Sequence, residues 1–292
     1  MKRSFDIIVV IPVGPGTSID FVKDTIDSFI HYTTCSYKIV IADDSQEGTG
    51  PAIKELFPAA DVLCTTRPMG GWAGLYISLA LAYRHALEHY AFRLLLKLDT
   101  DALIIGKDID EDAFRFFEQD AVMGIAGQYP NQYNGTRWDL GWPRDRVLNG
   151  ATTWKFIRRP IANITLRKLY RKAAANGYTA GESVFGGAYF MSHTLVYELY
   201  KAGLLPNSML GRLNLGEDHL FALLAKATGF KLGDMSSGSL PFGCAWKGLP
   251  AEPEQLISHG KKIIHSTRFW ADMKEGEIRR FFQTKRRNRC AL

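Results

Sequence analysis

The chain has 292 residues, of which 46% are hydrophobic and 23% are charged, and its formal net charge is +6. This composition excludes a disordered, collagenous or coiled-coil protein, and the length is enough for a substantial core without disulfide or metal staples. The longest apolar run, at residues 7–13, is far below the roughly 20 residues that cross a bilayer. Scattered cysteines without a C-x-x-C pair, and the lack of a secretory pattern, predict a reducing, cytoplasmic location.

In the first third of the chain, short β-type runs alternate with helical patterns, which is typical of a parallel sheet with helices on both faces. Strands are expected at residues 6–11, 37–42, 61–64 and 93–98, and helices at 18–32, 51–57 and 72–89. No linker that would separate independent domains interrupts the pattern. We therefore predict an α/β fold, with a mostly parallel sheet flanked by helices in a single continuous domain.

Beyond residue 101 the pattern predicts strands at 103–105, 121–126 and 230–233, and helices at 110–119, 161–176, 192–202 and 217–228. Residues 128–149 and 240–253 are predicted to be loops, and a helix is expected to close the chain. Trp138, Trp142 and Trp154 lie in or beside the first of these loops. Stacking on sugar rings and interior packing are both consistent with these side chains.

Two carboxylates, Asp99 and Asp101, directly follow a buried apolar run and therefore lie at the carboxyl end of a predicted parallel strand. Open α/β sheets bind ligands at this edge. Two carboxylates placed together can converge on one divalent cation, which would bridge diphosphate oxygens. The structural alternative is a solvated pair of acids in a turn.

Asp43 and Asp44 end the second strand at the same edge, where they could accept hydrogen bonds from a base or ribose, or form a turn.

Further candidate residues lie in the second half of the chain. Glu217 and Asp218 begin a helix, where acids act as caps or as a general base for an acceptor hydroxyl. Gly186 and Gly187 form either a tight bend or a close approach of backbone to a ligand. His265 ends a short strand and could complete a metal site with its imidazole, or be purely structural.

The common nucleotide motifs are missing. Gly14 and Gly16 begin like G-x-G-x-x-G, but Ile19 occupies the third glycine position. No G-x-x-x-x-G-K-[ST] sequence occurs either. A dinucleotide-binding or P-loop enzyme is therefore not expected.

The end of the chain is basic. From Arg279 onward there are six bases and no acid, and the remaining chain has equal numbers of bases and acids. A solvated terminal helix and peripheral contact with anionic lipid at the inner face of a membrane are the two interpretations of this tail. No nucleic-acid-binding motif accompanies the tail, and no nucleic-acid partner is expected.

Taken together, these motifs resemble the GT-A fold glycosyltransferases, especially glycosyltransferase family 2, in family order over roughly residues 5 to 268. The matching segments are the opening strand with Pro12, Asp43-Asp44-Ser45, Arg67-Pro68-Met69-Gly70-Gly71, Asp99-Thr100-Asp101, Gly186-Gly187 and Glu217-Asp218. The resemblance implies a Rossmann-like GT-A domain at 1–270, with a nucleotide-sugar half at about 1–127, an acceptor half at about 128–270, and a basic helical tail at 271–292. One departure is that asparagine is frequent before glycine in the family, at the position where this sequence has Met69.

The resemblance also implies the roles of individual residues. A nucleotide-diphosphate sugar, expected to be a UDP-sugar, would be bound by Pro12, Asp43, Asp44, Arg67, Asp99 and Gly187. Mn²⁺ or Mg²⁺ would be held by Asp99, Asp101 and His265. Asp218, beside Glu217, would be the catalytic base of an inverting, hexosyltransferase-like reaction with a sugar, glycan or lipid-linked acceptor.

Three other functions compete with this interpretation. A D-x-D phosphohydrolase of the haloacid-dehalogenase type has threonine or valine where this chain has Leu103, and its motif lies near the start of the chain. A sugar nucleotidyltransferase usually starts from a glycine-rich basic loop, which Gly14-Pro15-Gly16 matches poorly. A non-enzymatic binding module would rest on the basic tail alone.

Overall fold

A computed structural model describes residues 2–151 and 160–289 of the chain. The helices are α1 (Ile19–Tyr32), α2 (Thr49–Leu56), α3 (Ala73–His89), α4 (Ile109–Glu118), α5 (Gly141–Ala151), α6 (Pro160–Ala175), α7 (His193–Lys201), α8 (Glu217–Ala227), α9 (Pro253–Ser258) and α10 (Glu275–Arg289). The strands are β1 (Arg3–Ser4), β2 (Ile7–Val13), β3 (Tyr37–Asp43), β4 (Asp61–Cys64), β5 (Tyr90–Ala91), β6 (Leu94–Leu98), β7 (Ala102–Ile104), β8 (Met123–Gly127), β9 (Ala188–Ser192), β10 (Lys231–Asp234), β11 (Phe242–Cys244), β12 (Ile263–His265), β13 (Phe269–Trp270) and β14 (Met273–Lys274).

The largest sheet in the described chain has seven strands in the order β10-β8-β9-β6-β2-β3-β4. Neighbouring strands are parallel except for β9, which runs antiparallel to both β6 and β8. Because β2 is nearly continuous in valine and isoleucine and is buried along its length, it packs between helices on both faces of the sheet. The predicted α/β fold with a mostly parallel sheet flanked by helices is confirmed.

A second sheet stands beside the first and completes the region where the candidate site lies. Its order is β11-β12-β7, with β12 parallel to β11 and antiparallel to β7. The register places His265 opposite Ala102, directly after the Asp99-Thr100-Asp101 turn. This pairing brings the end of the chain back to the carboxyl edge of the main sheet.

Both predicted loops contain regular structure. Residues 141–151 form α5, although the segment is rich in residues of low helix propensity. Pro143 lies in the first turn, where proline is tolerated, and Val147 is fully buried. The prediction of a loop at 240–253 was wrong for β11, which pairs with β12. Tertiary packing and strand pairing overrode local propensity in both segments.

The basic tail is not a solvated helix. Arg279 on α10 is only 2% exposed, and its guanidinium lies 3.0 Å from Asp24 on α1. Arg286, on the same helix, also pairs with Asp24. Phe282, which lies between the two arginines in the sequence, is buried as well. Two of the bases that the sequence presents as a tail are therefore internal, while residues 290–292 lie outside the described chain.

None of the described helices combines the length and apolar character that a membrane span requires.

The Asp24 carboxylate should contribute strongly to stability. Asp24→Asn removes the negative charge between two buried guanidinium groups, and breaking a buried ion pair costs about 3 kcal/mol or more. Asp27→Asn is the matched control, because the Asp27–Lys23 pair is exposed and such pairs contribute less than about 1 kcal/mol. Urea unfolding measures both free energies, and equal losses in the two variants would contradict the account.

Candidate active site

The carboxyl edge of the main sheet gathers the acidic candidates. Asp99 and Asp101 lie in the turn between β6 and β7, and Asp43 is the last residue of β3. Since β9 is antiparallel, its first residues lie at the same edge, and the Asp99 amide donates to the Gly187 carbonyl at 3.0 Å. The sheet therefore brings together segments that are far apart in the sequence.

Asp99, Asp101 and His265 form a cluster whose ligand atoms all lie within 4.8 Å of one another. His265 Nε2 is 3.1 Å from Asp101 Oδ1 and 3.8 Å from Asp99 Oδ2. The other ring nitrogen, Nδ1, lies 2.9 Å from the Ala245 carbonyl and donates its proton there. This hydrogen bond directs Nε2 at the two carboxylates, the arrangement in which a histidine serves as a metal ligand.

The charges of this cluster compensate one another. Burial alone would lower the pKa of His265, but the carboxylates of Asp101 and Asp99 raise it above its ordinary value. Burial alone would raise the pKa of Asp101, but His265 and Arg268 hold it well below its usual range. The imidazole and the two carboxylates therefore favour each other's charged forms.

Lys97 is a site residue that the sequence analysis missed. Its side chain is fully buried, and Nζ lies 2.5 Å from Asp99 Oδ1 and 3.6 Å from Glu217 Oε1 while donating to the Gly186 carbonyl. Burial lowers the pKa of Lys97, but Asp99 and Glu217 outweigh it, so the net direction is upward. The available signal was a lysine inside a buried strand on the same face as Asp99, since lysine is almost never fully buried unless paired.

Glu217 and Asp218 differ in access to solvent. The side chain of Glu217 is 11% exposed and faces Lys97, and burial raises its pKa to about 8 against the opposing charge of Lys97. The Asp218 side chain is 20% exposed, and its Oδ1 accepts a hydrogen bond from the His219 amide at 2.8 Å. Asp218 is thus the carboxylate of the pair that is more open to an incoming hydroxyl.

The glycine pair is explained by close approach of side chains. A Cβ atom on Gly187 would lie 2.4 Å from the His265 ring, and one on Gly186 would lie 2.8 Å from Glu217 Oε1. Real Cβ contacts are not this short. Both glycines therefore leave room for the site's own side chains, a use that differs from the expected approach of backbone to a ligand.

Asp43 and Asp44 both form internal hydrogen bonds. Asp43 accepts from the amides of Ser45 and Gly50 at 2.9 and 2.8 Å, which shapes the connection into α2. Asp44 accepts from the Thr65 hydroxyl at 2.6 Å and from the Met69 amide at 2.8 Å. These hydrogen bonds correspond to the turn that the sequence offered as one interpretation of the two acids. Direct contact of Asp43 or Asp44 with a nucleoside stays a prediction.

Two further predicted donor residues lie on either side of these acids. Arg67 is exposed on the segment that Asp44 holds, and Pro12 is half-buried in β2 beside Ala42 of β3. The edge formed by β2, β3 and the segment after β4 therefore contains four of the six residues that the sequence assigned to the nucleotide sugar. The other two, Asp99 and Gly187, lie beside His265.

The backbone of the acidic turn is held from behind by residues that the sequence analysis did not assign to the site. Arg279 Nη2 donates to the Thr100 carbonyl at 2.6 Å, and the Thr25 hydroxyl donates to the same oxygen at 2.9 Å. The Thr267 amide donates to the Asp101 carbonyl at 2.8 Å. With its carbonyls bound, the turn presents its carboxylates toward His265 and Lys97.

The tryptophans differ in their surroundings. Trp138 stacks on Phe185 with ring centroids 5.2 Å apart, and Phe185 in turn contacts the His265 ring. Trp142 lies 4.8 Å from Trp72, and both rings are exposed. Trp154 lies outside the described residues. Trp138 is half-buried and packs beside the site, and stacking of these rings on a sugar stays a prediction.

Comparisons with known proteins find similarity in structure only. No family model and no curated protein sequence matches the chain. The solved structures that it resembles include the mannosyltransferase PcManGT from Pyrobaculum calidifontis in complex with GDP-Man and Mn²⁺, at 15% identity and a TM-score of 0.46, over 81% of this chain and 57% of that one. This chain therefore spans less than two thirds of the mannosyltransferase.

TarS 1-349 from S. aureus is similar at 13% identity and a TM-score of 0.48, over 94% of this chain and 68% of that one. Its complex with UDP matches at 16% identity and a TM-score of 0.47, over 97% and 71%. PcManGT and TarS are glycosyltransferases, the class that the motif order resembles. Similarity at this level concerns the fold alone.

Proposed function

We propose that this chain is a metal-dependent glycosyltransferase, which moves a sugar from a nucleotide-diphosphate sugar to an acceptor hydroxyl. The observation that carries the proposal is the convergence of Asp99, Asp101 and His265 at the carboxyl edge of the sheet, with His265 Nε2 directed at both carboxylates. Asp218 is the second residue of α8, which the buried Lys97–Glu217 contact ties to the same edge, and we assign it as the general base. These residues would supply a cation site and a proton acceptor at one edge of the sheet.

Asp99, Asp101 and His265 would hold the cation. When bound there, a divalent cation would offset the charge that develops on the departing diphosphate. Two carboxylates with one imidazole suit Mn²⁺, whereas Mg²⁺ prefers oxygen ligands, so we expect Mn²⁺ to support activity better than Mg²⁺. The Ala245 carbonyl fixes the tautomer of His265 that this role requires.

The nucleoside is placed at the edge formed by β2, β3 and the segment after β4. There Pro12 would contact the base, Arg67 would face the phosphates, and Asp43 or Asp44 would accept from base or ribose. Asp44 also fixes the backbone of the segment after β4, because it accepts a hydrogen bond from the Met69 amide. We expect a UDP-sugar, bound by the half at about 1–127, and an acceptor sugar, glycan or lipid-linked acceptor in the half at about 128–270.

The chemical step is a single displacement with inversion. Asp218 takes the proton of the acceptor hydroxyl, whose oxygen forms a bond to the anomeric carbon as the bond to the diphosphate oxygen breaks. The diphosphate leaves with that electron pair. We assign Glu217, which contacts Lys97 and has a raised pKa, to positioning Asp218.

Nucleotide binding tests the proposal. Calorimetry with UDP, GDP, CDP and dTDP should show that one of these nucleotides binds in a Mn²⁺-dependent way, because a cation held by Asp99, Asp101 and His265 would offset the charge of the diphosphate. Asp101→Ala should abolish that dependence, whereas Asp272→Ala, an exposed acid, should bind as the native chain does. If no nucleotide binds with or without Mn²⁺, the transferase assignment fails.

Replacing the proposed base separates chemistry from binding. Asp218→Asn should lower the rate of nucleoside diphosphate release from the sugar nucleotide, with water as acceptor, by about 10²-fold to 10⁴-fold. Affinity for the nucleoside diphosphate and Mn²⁺ should stay within about threefold, since Asp218 does not belong to the metal cluster. An Asp218→Asn protein with full turnover would assign the base to another residue.

A further inference from the structure

The positive charge of the chain is concentrated in one segment besides the tail. Residues 146–181 contain eight lysines and arginines and no acid, while the other residues have 28 bases against 30 acids. Three of the eight bases, Lys155, Arg158 and Arg159, lie outside the described residues. Four of the others are on α6, which has no acidic residue at all.

The α6 helix has a buried apolar face and an exposed cationic face. Ala162, Leu166, Leu169 and Ala173 are buried, and the helix packs against α5 and α8. The opposite face presents Ile161, Ile164, Arg167, Lys168, Arg171 and Lys172, all of them exposed. At about 100° per residue these six positions fall within roughly 140° of the helix circumference. We call these six residues the α6 surface.

The cations of the α6 surface have no acidic partner among the residues that the structure describes. No acidic side chain in the described ranges 2–151 and 160–289 forms an ion pair with Arg167, Lys168, Arg171 or Lys172. Four unpaired cations on one helix face form a stripe that is complementary to a surface of negative charge.

The N-terminal end of the α6 surface is apolar, and exposed tryptophans lie next to it. Ile161 is 65% exposed and Ile164 is 43% exposed. Trp72 and Ile161 line one open cleft, and Trp72, 55% exposed, lies beside Trp142, 39% exposed. Arg146 lies over the Trp142 ring, with the guanidinium 5.1 Å from its centroid. Neighbouring exposed apolar groups beside cations are typical of a surface that binds a protein or a membrane.

We propose that the α6 surface docks the protein on an anionic lipid bilayer. Lysines and arginines near such a surface are attracted to acidic headgroups, and tryptophans favour the level of the headgroups. The two isoleucines favour a bilayer over a soluble polyanion, because hydrated phosphates offer them no apolar environment. This surface differs from the terminal helix, where the sequence placed membrane contact, and the inference stands whether or not the chain transfers sugars.

Vesicle binding tests the docking surface on the full chain. The native protein should cosediment with phosphatidylcholine vesicles that contain phosphatidylglycerol, much less with phosphatidylcholine alone, and binding should weaken with salt. The triple variant Arg167→Gln, Lys168→Gln, Arg171→Gln should bind roughly 100-fold more weakly, since each cation near an anionic surface contributes about fivefold. Glutamine keeps the helix, because its helix propensity is close to that of lysine and arginine.

The matched control has the same net charge. Arg280→Gln, Lys285→Gln, Arg287→Gln removes three cations from α10 and should leave vesicle binding close to that of the native chain. The proposal is overturned if the native protein does not bind the anionic vesicles, if the α10 triple loses binding while the α6 triple keeps it, or if both triples lose it equally.

A second variant separates a bilayer from a soluble polyanion. Ile161→Ser, Ile164→Ser should reduce vesicle binding several-fold and leave binding to a polyphosphate or a short RNA unchanged, as measured by fluorescence anisotropy. Both isoleucines are exposed, so the change should alter stability by less than about 0.5 kcal/mol. If vesicle binding is unaffected while the native chain binds polyphosphate or RNA more tightly than vesicles, the occupant is a soluble polyanion and the bilayer assignment is wrong.

Discussion

The candidate site depends on one electrostatic constraint, the crowding of carboxylates at a single sheet edge. Asp99, Asp101, Glu217 and Asp218 come together there, and like charges at such distances repel unless cations intervene. The chain supplies three of its own: Lys97 between Asp99 and Glu217, and His265 and Arg268 beside Asp101. A divalent cation would add positive charge between Asp99 and Asp101.

The surrounding structure follows from this constraint. Gly186 and Gly187 have no side chain because Glu217 and His265 occupy the space where one would be. The end of the chain returns to brace the acidic turn, with Arg279 on the Thr100 carbonyl and Thr267 beside it on the next carbonyl. The basic terminal helix is therefore part of the machinery that positions the carboxylates, because a buried guanidinium with several acceptors is a rigid support.

Sequence patterns predicted the parts of the fold that local periodicity controls. The buried run before Asp99 indicated both a parallel strand and the edge at which its carboxylates would lie, and β2, β3 and α3 were expected close to their observed bounds. Contacts between distant segments were less accessible. The sequence named His265 as a possible metal ligand, but the pairing of β12 with β7 that brings it to the carboxylates had no local signal. The antiparallel course of β9 had none either, since strand direction depends on tertiary pairing.

The total numbers of bases and acids do not show how charge is distributed along the chain or over its surface. Outside the tail, bases and acids are equal in number, yet this equality conceals the acid-free segment at 146–181. Arg279 shows the opposite case, because a base in a cationic tail is buried in the fold. Lys97 was overlooked for a similar reason: one charge within an apolar run counts little in composition but has large energetic consequences when buried.

Pulsed electron paramagnetic resonance of the Mn²⁺-loaded protein can determine whether His265 and the two turn carboxylates bind one divalent cation. We expect a single bound Mn²⁺ whose spectrum shows coupling to a directly coordinated imidazole nitrogen. This coupling should vanish in His265→Gln and persist in His85→Gln, where a histidine on α3 is replaced. Bound Mn²⁺ without nitrogen coupling, or an unchanged spectrum in His265→Gln, would contradict the account.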